Sequence, residues 1–169
     1  HSPAHLAGPQ ALREKTADVI SLHMTFSEDE LQEVERHKAK YPEAKAAIMP
    51  VLWMAQKKWG WLSEDVMRYV GEVMELPYSH VLGVATFYTM YFKKPMGKHH
   101  IQVCTNISCM LRGGKDIYDH VSTKLGIGHN EATEDGTYSL EEVECMGACG
   151  GAPMLAVNET FHENVTKDQ

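Results

Sequence analysis

Apolar positions recur at two different periods along this chain, and the change falls near Pro95–Gly97. Upstream the spacing is helical. Ser27 followed three residues later by Glu30 reads as a capping box, opening a helix through Leu31 and Val34 to about Lys40. Pro42 suits the first turn of a second helix, which carries Ala47, Ile48, Val51, Leu52 and Ala55 to Gly60. Pro50 lies inside it and is expected to kink or split it. Ser63 caps a third helix with Val66, Tyr69, Val70 and Val73 at helical spacing, and this helix stops before Pro77. A fourth begins near Ser79 and includes Val81, Leu82 and Ala85. Four helices with short links predict a small bundle.

Downstream the pattern shortens. His99 to Val103 reads as a strand running into Cys104. Met110 to Leu125 reads as a helix with Ile117, Val121 and Leu125 on one face, weakened in its first turns by Gly113–Gly114 and capped by Gly126. Tyr138 to Val143 is a second strand, running into Cys145. Met154 to Val157 is a third, and Asn158–Glu159–Thr160 turns it toward Phe161. Strand, helix, strand, strand is an α/β pattern. The expected organisation is an N-terminal tail over 1–25, a helical bundle over 26–95 and an α/β domain over 96–169, an α+β chain as a whole. Thr166-Lys-Asp-Gln reads as the opening of a helix at which the sequence stops.

Charge narrows the function classes. The 169 residues hold 16 basic and 23 acidic side chains, a net charge of −7, and no Lys/Arg run. Nucleic acid and anionic membrane both reward clustered cations, so neither is expected as a partner. The most apolar stretch, Val81 to Phe92, is too short to span a bilayer and carries Thr86, Tyr88 and Thr89. The first ten residues lack the basic region and apolar core of a secretory leader.

The candidate chemistry is in four cysteines, none of them before Cys104. They form two pairs, Cys104-x4-Cys109 and Cys145-x3-Cys149, each following a predicted strand. Adjacent strands would bring both pairs to one edge of a sheet. A 2Fe–2S cluster needs two sulfur ligands per iron, which two pairs on two loops supply. A structural zinc takes four cysteines too, commonly from tight knuckles. Disulfides suit a secreted chain, and a thioredoxin-type redox pair needs C-x-x-C, which is absent. Met110, Met146, Ala148, Ala152 and Met154 are expected to surround the thiols with apolar bulk, or simply to pack the core. Gly147, Gly150 and Gly151 allow tight turns there.

These words carry a family resemblance. Val84–Phe92 (VATFYTMYF), Gly97–Gly114 (GKHHIQVCTNISCMLRGG), Glu142–Met154 (EVECMGACGGAPM) and Pro50–Leu62 (PVLWMAQKKWGWL) resemble the small 2Fe–2S subunit of the NADH dehydrogenase module of respiratory complex I. The resemblance runs from about Phe26 to Thr166. It implies a helical bundle followed by a thioredoxin-like ferredoxin domain, with Cys104, Cys109, Cys145 and Cys149 as cluster ligands. It implies a flavoprotein partner holding FMN and binding NADH, and a place in the peripheral arm of a membrane-bound complex, cytoplasmic or on the matrix side. It also implies a C-terminal helix beyond this sequence, and a larger residue at the position of Gly151. Equivalent subunits of NAD-linked hydrogenases and formate dehydrogenases share the pattern.

Other features are weaker. Neither G-x-G-x-x-G nor a phosphate-binding P-loop occurs, so a one-electron carrier here needs a donor from another chain. A zinc-stabilised interaction module and a free-standing ferredoxin are the competing readings. His99 and His100 are neighbours on a strand, point to opposite faces and are read as partly exposed. Trp53, Trp59 and Trp61 read as bundle core or edge, with docking as the other role for Trp59–Trp61. Ala85–Tyr88 reads equally as helix core or as a contact with the flavoprotein. Glu141, Glu142 and Glu144 read as a solvated strand face.

Overall fold

The computed structural model describes residues 24–168, so most of the expected N-terminal tail, and Gln169, lie outside the described residues. The chain divides into two compact units, one ending at Pro95 and the other beginning at Met96.

The first unit is helical. Helix α1 (Glu28–Lys38) starts at a complete capping box: the Ser27 hydroxyl accepts from the Glu30 N–H, and the Glu30 carboxylate accepts from the Ser27 N–H at 2.6 Å. Glu28, Asp29 and Glu30 in its first turn, and Arg36, His37 and Lys38 in its last, complement the helix dipole. A 3-10 turn (Ala44–Ala47) then leads into α2 (Ile48–Trp59). Pro50 therefore does not kink a long helix. It is the third residue of α2, where its missing N–H would have had no intrahelical acceptor. Ser63 caps α3 (Glu64–Met74) by accepting from the Val66 N–H, and α4 (Tyr78–Phe87) follows Pro77.

Val34, Val51, Leu52, Ala55, Leu62, Val66, Val70, Val81 and Ala85 fill the core of this unit. Gln56 is buried among them. Its amide nitrogen donates to the Met90 carbonyl and its amide oxygen accepts from the Phe92 N–H, tying the segment after α4 to α2. Trp53 and Trp59 are partly buried against this core, and Trp59 packs in a three-ring group with Phe26 and Tyr69. In the Ala85–Tyr88 stretch Ala85 is fully buried, whereas Phe87 is 78% exposed.

The second unit has one sheet. Its elements are β1 (His99–Cys104), α5 (Ile107–Leu111), α6 (Gly114–Leu125), β2 (Glu131–Ala132), β3 (Tyr138–Val143), β4 (Leu155–Val157) and β5 (Thr160–His162). The strand order is β2-β3-β1-β4-β5, with β1 parallel to β3 and the other pairs antiparallel. Val103, Ile117, Tyr118, Ile127 and Leu140 form the core between α6 and the sheet. The two-residue β2 is not among the predicted strands, because so short a strand has no period to detect. Residues 167 and 168 form a turn.

The helix expected over 110–125 is two helices. The break is at Gly113, whose φ of +93° is costly for any residue with a Cβ. Glycine is required again at the next position, for a different reason: a Cβ on Gly114 would lie 2.7 Å from the Cys104 carbonyl oxygen and 2.9 Å from that of Cys109. The break lets α5 carry Cys109 inward while α6 packs on the sheet.

Candidate metal centre

The parallel pairing of β1 with β3 decides where the cysteines lie. Cys104 is the last residue of β1 and pairs with Val143, the last residue of β3, so both strands end at the same edge. Thr105 stitches that edge twice. Its N–H donates to the Val143 carbonyl and its hydroxyl donates to the Glu142 carboxylate at 2.8 Å. Asn106 then turns the chain into α5, its side-chain oxygen accepting from the Ile107 N–H. Cys109 therefore sits inside a short helix and not on a loop.

On the other side the chain passes Cys145 and returns through a 3-10 turn over Cys149–Gly151 toward β4. The Met154 carbonyl accepts from the Cys104 N–H, and the Arg112 Nε donates to the Ala152 carbonyl at 2.6 Å. The Ala152–Pro153 peptide is cis.

All four cysteines line one cavity of about 140 Å³, together with Asn106, Ile107, Ser108, Gly147, Ala148 and Met154. No charged side chain lines it. The pairs differ in depth: Cys104 and Cys109 are 5% and 2% exposed, and Cys145 and Cys149 stand exposed at the rim. All four thiols are free. Cys104, Cys109, Ala152 and Met154 form a small buried cluster, with Val143, Met146 and Ala148 against it. Met110 does not belong to this apolar wall; it is 52% exposed on α5.

Burial pushes the Cys109 thiol up. Cys104 beside it and the nearby Cys149 push the same way, while the Met154 N–H pulls it down. Thiols so close resist losing several protons together unless a cation replaces them. A mononuclear zinc would need four sulfurs at about 2.3 Å from one point. Two thiol pairs around a shared cavity match two irons, each taking two sulfurs. Four cysteine sulfurs in an uncharged lining fit a 2Fe–2S cluster.

The remaining candidates fall outside the cavity. His100 is buried and not partly exposed: its Nδ1 is 2.9 Å from the Ser139 hydroxyl and its Nε2 is 3.1 Å from the Glu141 carboxylate. His99, half-buried, packs against Tyr138. Glu141 is not on a solvated face; it accepts from the Gln102 amide at 2.8 Å as well as facing His100. Gly151 departs from the expected larger residue for want of room, since a Cβ there would run into the Glu163 carboxylate. Thr105 and Arg112 belong to the site although no motif singles them out. The available signal was that Arg112 is the one charged residue in either cysteine-bearing segment, 104–114 or 145–154.

The fold and this four-thiol edge define a ferredoxin built on a thioredoxin-like sheet. The model of the thioredoxin-like 2Fe-2S ferredoxin family matches residues 34–169, and the chain belongs to that family. It is 42% identical over 150 residues to the E subunit of the NADH-quinone oxidoreductase of Rickettsia bellii, covering 87% of this chain and 90% of that relative. It is 41% identical over 134 residues to an E-type NADH-quinone oxidoreductase subunit of Rhizobium meliloti, covering 79% and 80%. Among solved structures, the NAD+-reducing NiFe-hydrogenase in its air-oxidised state superposes with a TM-score of 0.60 at 17% identity. That match covers 68% of this chain and 20% of the hydrogenase chain, and it bears on the fold alone.

Proposed function

We propose that this chain is the electron-transfer subunit of an NADH-quinone oxidoreductase, holding one 2Fe–2S cluster through Cys104, Cys109, Cys145 and Cys149. The observation that carries the reading is the single uncharged cavity lined by all four thiols at one sheet edge. A cluster bound there supplies a one-electron acceptor. Cys104 and Cys109 anchor it from the buried side, and Met154 and Ala152 limit water behind it. Cys145 and Cys149, at the rim, face the direction of electron exchange. The chain itself performs no hydride chemistry. NADH gives up electrons in pairs, so a partner flavoprotein holding FMN and binding NADH separates them.

Ile107, Met110 and Leu111 stand 65%, 52% and 77% exposed on α5 beside the cavity mouth, an apolar surface suited to that partner. Among the described residues no helix is long and apolar enough to cross a membrane. On this reading the chain attaches to the complex through protein contacts, in its cytoplasmic or matrix-side arm.

Iron and sulfide analysis with EPR of the dithionite-reduced chain tests the cluster. Two irons, two sulfides and a 2Fe–2S signal are expected; one zinc without sulfide would establish the interaction-module reading instead. Co-purification tests the partner. A flavoprotein is expected to accompany the wild type and to be lost from Leu111→Glu, which keeps its EPR signal. Capture of nickel–iron subunits would assign the chain to a hydrogenase.

A further inference from the structure

We propose that Arg112 is a positioning residue for the cluster, clamping the second cysteine segment against the first and holding a fixed positive charge beside the four thiolates. The inference rests on the cluster reading above. Arg112 touches both halves of the site. Its backbone N–H donates to the Cys109 carbonyl at 3.1 Å, and its Nε donates to the Ala152 carbonyl at 2.6 Å. This side-chain hydrogen bond joins segment 104–114 to segment 145–154. Ala152 belongs to one buried cluster with Cys104, Cys109 and Met154, so this bond ties the exposed Arg112 side chain to the backbone packed behind the buried thiols.

Charge makes the placement consequential. Two ferric irons, two sulfides and four thiolates sum to a dianion, and reduction adds one electron and no atom, giving a trianion. Two neighbouring carboxylates oppose that change. Glu142 accepts from Thr105 at the strand edge, and the Glu163 carboxylate lies against Gly151. A fixed cation favours the more negative state. Arginine supplies a charge that does not titrate, and its planar fork keeps donors to spare after the Ala152 bond is made.

The test uses the full chain carrying its cluster, with an EPR-monitored redox titration and the rate of iron removal by a chelator. Arg112→Gln is expected to lower the reduced-to-oxidised ratio at a given potential about tenfold, a midpoint shift of about 59 mV for a one-electron couple. Iron loss is expected to accelerate severalfold. Arg112→Lys keeps the charge without the fork, so it is expected to recover at least half of the midpoint shift while still losing iron faster. An unchanged midpoint in Arg112→Gln overturns the electrostatic role, as does an Arg112→Lys midpoint equal to that of Arg112→Gln. An unchanged chelation rate in both variants overturns the clamp. Should Arg112→Gln not fold, Arg112→Lys decides alone, with faster iron loss and a midpoint within about 30 mV of wild type as the expected result. A wild-type chain without a 2Fe–2S signal refutes the cluster reading, and this proposal with it; a normal wild-type signal with unaltered variants refutes only the role of Arg112.

Discussion

Gly114 lies so close beneath Cys104 that a methyl group on it would come within 2.7 Å of the Cys104 carbonyl oxygen. The first residue of α6 is thus a direct neighbour of the backbone of a proposed cluster ligand. Gly114→Ala is expected to cost about 1–3 kcal/mol through overpacking and to lower iron content in parallel. Thermal unfolding of the apo chain, with iron analysis after reconstitution, checks both. A variant with wild-type stability and full iron content would show that the cradle yields easily.

The unequal depth of the thiols separates ligation from packing. Cys145 is exposed and Cys109 buried. Cys145→Ala is expected to abolish the EPR signal while changing apo-chain stability by no more than about 0.5 kcal/mol, as surface substitutions do. Cys109→Ala loses the signal too, and also leaves a small void in the core. A Cys145→Ala variant that retained a 2Fe–2S spectrum would remove Cys145 from the ligand set.

Gln56 is buried, with both ends of its amide engaged by the Met90 and Phe92 backbone. Gln56→Leu keeps much of the volume but removes both of these hydrogen bonds. The expected loss is about 1–3 kcal/mol in urea unfolding, with the metal centre's spectrum unchanged. Equal stability of the two proteins would mean that the 90–92 segment finds other partners.

Glu141 ties stability to pH. Burial raises its carboxyl, but hydrogen bonds from His100 and Gln102 outweigh it and leave the group below its ordinary value of 4.5. A carboxyl lowered by folding stabilises the native state above its unfolded-state value, and that contribution disappears as pH falls through the folded value. Glu141→Gln is therefore expected to lose stability relative to wild type at pH 7, with the gap narrowing below about pH 4.5. Unfolding curves at pH 7 and at acid pH read it, and a pH-independent gap would contradict the assignment.

Local chemistry explains which elements were legible in the residues. Ser27–Glu30 and Ser63 cap helices through bonds spanning three residues, and Gly126 adopts φ +67° at the end of α6. Such signals need no distant partner, so they can be read along the line of residues. The spacing of the cysteines and the strands before them are equally local. Pro50 and Gly113 are ambiguous in one dimension because their effect depends on how far each lies from a helix start.

Residue order, then, dictated two units of different period, the caps that bound their helices and two cysteine pairs placed after strands. Folding decided that β1 and β3 lie side by side and parallel, which converts two separate pairs into one cavity. It also decided that Cys104 and Cys109 are deep while Cys145 and Cys149 are open, that His100 is buried against Glu141, and that Arg112 reaches Ala152. The last two contacts each join residues about 40 positions apart in the chain. Such contacts form only once the loops between them are closed, against their entropy, and nothing in the local pattern of residues encodes the partner.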